Sequence, residues 1–179
     1  VIDFPAYQLG MSREAVALVP HSSRWAEAFS LLSSRIQAAL EGSGLELHHI
    51  GSTAIPGIQA KPILDLLGVV PELAVFDVFR SRLEDLGFTW KGEYGIPGRR
   101  YSVLYDAEGK LGFVHLHVFE AGHAEVARHL KFRDQLCVDP LLAREYDELK
   151  TQLQKKFAGE RSKYTEAKAS FIQGVLEKR

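Results

Sequence analysis

The chain has one cysteine in 179 residues, Cys137. That excludes an internal disulfide and a zinc site built on cysteines. It also has one methionine, Met11, and opens on valine. Residues 1–10 are therefore read as an N-terminal extension or expression remnant and set aside from the fold, leaving a single domain over 11–179. Net charge is nearly absent: 22 basic against 23 acidic side chains leave -1. So small a charge argues against a protein that holds nucleic acid by bulk electrostatics. No apolar run is long enough to span a bilayer, and no secretory signal is visible. The expectation is a cytoplasmic protein without a membrane partner. Internal repeats, low-complexity tracts and an interdomain linker are missing as well. Nothing in the chain sets an oligomeric state.

What is present is ordinary for a globular domain: 46% hydrophobic and 25% charged residues, in a length that can bury one real core. The charges are unevenly placed. Residues 1–127 carry 10 basic and 15 acidic side chains, and residues 128–179 carry 12 and 8. The mildly basic C-terminal part suits an anionic ligand, or simply solvated helix surfaces.

Hydrophobic periodicity lays out the elements. Ala15 to Val19 is a short apolar run stopped by Pro20, an edge strand. Trp25, Phe29, Leu32, Ile36, Ala39 and Leu40 recur at helical spacing, after Ser22 or Ser23 as a cap. Pro71 opens a second helix with Leu73, Phe76, Phe79, Leu83 and Leu86 on one face, capped by Gly87. Phe88 to Trp90 is a short strand. Tyr101 to Tyr105 and Leu111 to Phe119 form a hairpin about Asp106-Ala107-Glu108-Gly109. Three helices follow, over roughly 124–136, 139–157 and 162 to the end. Mixed early elements, a central hairpin and a helical tail give an α+β fold with a mixed sheet, helices packed on one face and a helical C-terminal part.

The stretch LHHIGSTAIPGIQAKPILDLLGVV, residues 47–70, carries the chemistry. It reads as strand, tight turn, loop and strand. Gly51 lets the backbone turn and approach a ligand without a Cβ in the way. Ser52 and Thr53 add hydroxyls beside backbone N–H donors suited to a phosphate. Asp65 then sits alone in an apolar strand, where a carboxylate is costly unless paired or metal-bound. Lys61 lies between turn and carboxylate. His49 alternates with Leu47 and points with it, and His48 points the other way.

These residues resemble the nucleotidyltransferase superfamily, whose signature is a Gly-Ser turn followed by a strand bearing acidic metal ligands. More narrowly, the chain resembles the GrpB family from about Ala15 to Ile172. The shared pieces are HIGSTAIPG (49–57), AKPILDLL (60–67), HLHV (115–118), LKFRD (130–134) and Tyr164-x-x-x-Lys168. The resemblance implies a nucleotidyltransferase-like fold without supplying a known reaction. GrpB-like domains also occur fused to dephospho-coenzyme A kinase, which makes coenzyme A metabolism one context. The sequence departs from active nucleotidyltransferases at Leu67, where a second acidic residue is usual.

His115 and His117, two apart on a strand, face one side together. They can serve a metal or a phosphate, or be two polar residues on a half-exposed strand. Asp65 is read as a metal ligand, the alternative being a buried Asp paired with an Arg or backbone donors. The metal set is then Asp65, His115 and His117, holding Mg²⁺ or Mn²⁺, with a transition metal open because of the histidines. Asp65, His117 and Lys61 are the catalytic candidates. Gly51, Ser52, Thr53, Arg100, Arg133, Tyr164 and Lys168 are the phosphate or nucleotide candidates, with Arg99 and Lys163 beside them. The Gly-rich loop 94–98 either closes over a ligand or is a solvated connector. The expected partner is a nucleoside triphosphate or another phosphate-bearing small molecule. Two functions stay open: a metal-dependent nucleotidyltransferase with an unknown acceptor, or a degenerate domain that binds a nucleotide or phosphate ligand and regulates.

Overall fold

The structure is a computed structural model and describes residues 2–12 and 15–177. Six strands form one mixed sheet: β1 (Met11–Ser12), β2 (Glu46–Ile50), β3 (Leu64–Val70), β4 (Phe88–Gly92), β5 (Arg99–Tyr105) and β6 (Leu111–Glu120). The spatial order is β2-β3-β6-β5-β4, with β1 pairing the start of β6. All pairings are antiparallel except β3 with β6. That parallel pair requires a crossover. The chain supplies it with α2 (Leu73–Asp77), α3 (Arg80–Asp85) and the β4–β5 hairpin.

One face of the sheet is apolar. Leu64, Leu66 and Val70 of β3 and Val114, Leu116 and Val118 of β6 are buried there against Trp25, Ala28, Leu32 and Ile36 of α1 (Arg24–Ala39). Phe76 of α2 and Leu83 of α3 complete that layer. Gly68 is the tight spot on β3: a Cβ there would lie 2.8 Å from Leu45 and 2.9 Å from Val118.

The helical C-terminal part comprises α4 (Ala124–Val138), α5 (Pro140–Lys156), α6 (Arg161–Glu166) and α7 (Ala169–Glu177). It has its own core of Leu136, Leu142, Ala143, Tyr146 and Val175, closed over Ile55 and Ile58 from the loop after β2. Asp139 starts α5 by accepting hydrogen bonds from the amides of Leu141 and Leu142, with Pro140 in the first turn. α4 also reaches the second face of the sheet. There Val126 and Leu130 pack on a small cluster of Ile50, Leu67 and Phe119.

The α+β fold with its mixed sheet and helical tail is the one expected from the nucleotidyltransferase-like resemblance. Several elements differ from the sequence reading. Residues 2–10 pack into the core rather than standing aside: Phe4 and Leu9 are buried, and Phe4 stacks on Phe113 at 5.0 Å. The strand expected over 15–19 is a single bridge, Val19 to Ala60. The helix expected from Pro71 breaks into α2 and α3 about Val78-Phe79, where the Val78 and Phe79 amides bond three residues back. The last helix likewise divides between α6 and α7. Among the described residues, no helix is long and apolar enough to cross a membrane.

Candidate functional site

Strand alternation builds the site. On β3, Asp65 points to the face opposite Leu64 and Leu66. On β6, His115 and His117 share that second face. The parallel register sets Asp65 beside His115 and Leu67 beside His117. Antiparallel β5 then sets Tyr101 opposite His117 and Val103 opposite His115. One carboxylate and two imidazoles thus converge, with donor atoms of Asp65, His115 and His117 all within 4.8 Å of one another.

The turn after β2 approaches this group closely. Gly51 holds φ 71°, and a Cβ on it would lie 2.6 Å from Asp65 Oδ2 and 3.0 Å from Asp65 Cβ. Glycine is needed here for both the conformation and the carboxylate behind it. Ser52–Ala54 form a single 3₁₀ turn, whose Ala54 and Ile55 amides bond back to the carbonyls of Gly51 and Ser52. The Ser52 hydroxyl meets Tyr146 of α5. Thr53 is 3% exposed, and its hydroxyl is 2.9 Å from His49 Nε2. His49 itself turns to the α1 side, stacked on Phe29.

A recess of about 100 Å³ opens between this turn and the C-terminal helices. Gly51, Ser52, Thr53, Lys61, Asp65 and His115 line one side; Tyr146, Lys150, Tyr164 and Lys168 line the other. Lys61 and Lys168 both lie over the Tyr164 ring, at 5.6 and 4.8 Å from its centre. Burial lowers the Lys61 ammonium to about 8, and the nearby Lys168 and Arg161 charges push it the same way against the pull of Asp65. Burial lowers Lys168 as well. Burial is the first cause for both, and an anion bound beside them would favour their charged forms.

Asp65 experiences the opposite balance. Burial pushes its carboxyl up, but the hydrogen bond with His115 and the charges of His115, His117 and Lys61 hold it well below the usual carboxylate range. His115 Nδ1 stands 3.0 Å from Asp65 Oδ1. With Asp65 ionised, that nitrogen carries the proton and donates. Burial lowers His117 to about 3, so at neutral pH it is an uncharged imidazole. Arg99 Nη1 is 3.3 Å from His117 Nδ1. Arginine only donates, so Nδ1 is the acceptor there. A cation at His117 Nδ1 therefore competes with Arg99.

The structure brings together Gly51, Ser52, Thr53, Lys61, Asp65, His115, His117, Tyr164 and Lys168. It leaves two phosphate candidates outside. Arg100 alternates with Arg99 and Tyr101 on β5, so it faces the other side of the sheet; there it forms a forked pair with Asp77 at 2.6 and 2.7 Å. Arg133 docks α4 onto β2 by donating to the His49 carbonyl at 3.0 Å, and pairs with its neighbour Asp134. Lys163 is paired with Glu160 on the α6 surface. The usual second-acid position, Leu67, lies on the Asp65 face but is fully buried under α4.

Three residues at this site were not singled out from sequence. Lys150 is 1% exposed, donates to the Gln59 carbonyl and lies 3.3 Å from Asp147. Its signal is a lysine in phase with Tyr146 on the apolar side of α5. Tyr146, raised to about 12 by burial despite its bond with Ser52, gives no signal beyond an aromatic at core spacing. Tyr101 alternates with Arg99 and Val103 and is visible only once β5 is paired with β6.

Known proteins resemble this chain. The family model described as GrpB protein matches residues 15–178. The UPF0157 protein YqkA of Bacillus subtilis is 35% identical over 165 residues, which is 92% of this chain and 47% of that protein. This chain thus spans about half the length of that relative. The glutamate-rich protein GrpB of Alkalihalophilus pseudofirmus is 32% identical over 170 residues, 94% of this chain and 98% of that one. The crystal structure of conserved protein GrpB from Enterococcus faecalis superimposes with a TM-score of 0.81 at 31% identity, covering 89% of this chain and 94% of the other. The chain belongs to the GrpB family.

Proposed function

We propose that this domain binds a nucleoside triphosphate through its phosphates and transfers a nucleoside monophosphate to an acceptor, with a divalent cation at Asp65. One observation carries the reading: Asp65, His115 and His117 converge within 4.8 Å at the edge of a recess lined by the Gly51-Ser52 turn, Lys61 and Lys168. The donor set fits a metal, and it refines which one. Mg²⁺ favours oxygen ligands, whereas two imidazoles beside one carboxylate suit Mn²⁺ or another transition ion. A bound ion would supply positive charge to the phosphates and to the leaving pyrophosphate.

The chain's own groups account for the rest. Ser52 and the turn's backbone hold the phosphate oxygens. Lys61 and Lys168 neutralise the charge that develops on them. Asp65 and His115 fix one another in a single orientation. Tyr146 and Tyr164 close the back of the recess and keep water from the lysines.

A second reading is a domain that binds the same ligand without transfer, and Leu67 favours it. Its apolar side chain takes the place of a second carboxylate under α4. Either way, ATP with Mn²⁺ should raise the melting temperature through linkage. Ser52→Ala, Lys168→Met and Asp65→Ala should each shrink that rise. Pyrophosphate release from labelled triphosphate against a pool of acceptors separates the two readings. Release that His117→Ala abolishes supports transfer; binding with no release under any acceptor supports the second reading. A melting curve unmoved by nucleotides and metals at millimolar concentration removes both.

A further inference from the structure

Beyond the phosphate recess lies a larger open cleft of about 970 Å³, sharing only Ile63 and His115 with it. Its wall is aromatic. Tyr101 and Tyr105 come from β5, Tyr94 from the loop before it, and Lys91, Ser162 and Glu166 add polar groups at the rim. Tyr94 is 66% exposed, yet it is held firmly. Its ring stacks on Tyr101 with centres 5.2 Å apart and planes 23° from parallel.

The backbone beneath Tyr94 is held as well. Tyr94 has φ 46°, a left-handed conformation that an aromatic residue adopts only when its surroundings impose it. Arg99, 6% exposed, imposes it by donating to the Tyr94 carbonyl at 2.6 Å and to the Glu93 carbonyl at 3.1 Å. The Gly98 amide bonds the Glu93 carboxylate at 2.7 Å and closes the loop. Ile96 anchors its middle on the cluster of Leu67 and Phe119. A strained residue, a buried arginine and an anchored loop together present one tyrosine ring to solvent. Core packing does not require that, because the ring is outside the core.

We propose that Tyr94, backed by Tyr101, is a stacking platform for the nucleobase of the ligand whose phosphates enter the recess. This rests on the phosphate-binding reading above. The path is continuous: His115 lies 5.9 Å from Tyr101, and Tyr101 lies 5.2 Å from Tyr94, ring centre to ring centre. The two cavities meet at His115, so a nucleotide with its phosphates by Ser52 extends its base toward Tyr94. Stacking accepts any base through its π-face, and the polar rim offers partners to the base edge. The ligand class is a nucleotide rather than a bare phosphate or a sugar phosphate.

The test compares ATP with inorganic tripolyphosphate, each with Mn²⁺, by titration calorimetry. Wild type should bind ATP on the order of tenfold tighter than tripolyphosphate, the scale of one stacked base. Tyr94→Ala should erase that difference and leave tripolyphosphate binding unchanged, while Tyr94→Phe keeps it. A Tyr94→Ala chain that still prefers ATP, or loses both ligands equally, overturns the platform. Adenosine alone, followed by saturation-transfer NMR, separates this failure from failure of the parent reading. Adenosine binding that depends on Tyr94 without tripolyphosphate binding keeps the platform and removes the recess. If neither probe binds, both fall.

Discussion

The two faces of the sheet are written by the same strands and behave oppositely. On β3 and β6 the residues alternate, so that Leu64, Leu66, Val114 and Leu116 meet α1 while Asp65 and His115 meet the recess, with His117 beside them on the same face. The first face gains by excluding water from apolar surface. The second pays desolvation for a carboxylate and imidazoles and recovers part of it only through mutual pairing. The difference teaches where function sits: one register slip would exchange the two faces. The boundary between them is Leu67, an apolar residue on the polar face, sealed by Val126 and Leu130.

That boundary is the strongest place to break the comparison. Leu67→Asp should cost about 3–5 kcal/mol of stability, as an uncompensated buried charge does, seen in denaturant unfolding with and without Mn²⁺. Near-native stability with tighter Mn²⁺ binding would show instead that α4 leaves the position open. Next comes the apolar face. Leu66→Ala should cost about 2–5 kcal/mol while leaving the relative affinities for ATP and tripolyphosphate as they are. A change in ligand selectivity there would mean that the faces are not independent.

Gly51→Ala touches the seam between turn and carboxylate. A strained left-handed residue costs of order 1–3 kcal/mol, and the added Cβ also displaces Asp65. Metal-dependent thermal stabilisation should vanish along with that stability; stabilisation that survives would show that Asp65 can move without loss.

The pH response sharpens the comparison without mutating the sheet. Lys61 is lowered to about 8 by burial, so it is charged below that pH and neutral above it. A bound anion favours the charged form and raises the pKa of the complex. Tripolyphosphate affinity should therefore fall as pH rises above about 8, by up to roughly tenfold per pH unit, in calorimetric titrations. Lys150 is also lowered to about 8, but its ammonium is occupied by the Gln59 carbonyl and Asp147. Lys61→Met should accordingly flatten most of the slope; an unchanged slope would assign it to Lys168 or Lys150, which burial also lowers. The smallest effect is expected at Asp77→Ala. The Arg100 pair is partly exposed, so its loss should cost no more than about 1 kcal/mol, with ATP affinity intact. A large affinity loss would return Arg100 to the ligand.

The hairpin of β5 and β6 was legible because alternation and an Asp-x-x-Gly turn are local signals, α1 because its apolar residues recur at helical spacing, and the start of α5 because Asp139-Pro140 announces it. Phe4 was not, since the ring it stacks on is Phe113, a hundred residues away in sequence. The division of α2 from α3 escaped because Leu73 to Leu86 keep a helical spacing across it. At the site, Gly51-Ser52, Lys61 and Asp65 sit within one short stretch, and His115-x-His117 announces its shared face. Arg99 and Arg100 differ only by strand parity, which loop glycines on one side left undetermined. Lys150 was hidden by its neighbours, since a lysine in phase with Tyr146 reads first as one that snorkels.

Arg99 stands as a thermodynamic hinge between the two proposed ligand surfaces. One guanidinium holds the Glu93 and Tyr94 carbonyls and also the His117 nitrogen. An ion that takes His117 Nδ1 frees one arm of that guanidinium, and a ring seated on Tyr94 loads the other. Linkage is reciprocal: whatever factor the ion changes in the affinity for the ring, the ring changes in the affinity for the ion. The sign of that factor is then a property of a single side chain, readable from a two-ligand titration with Arg99 in place and again with Arg99→Lys, which keeps the charge and loses the fork.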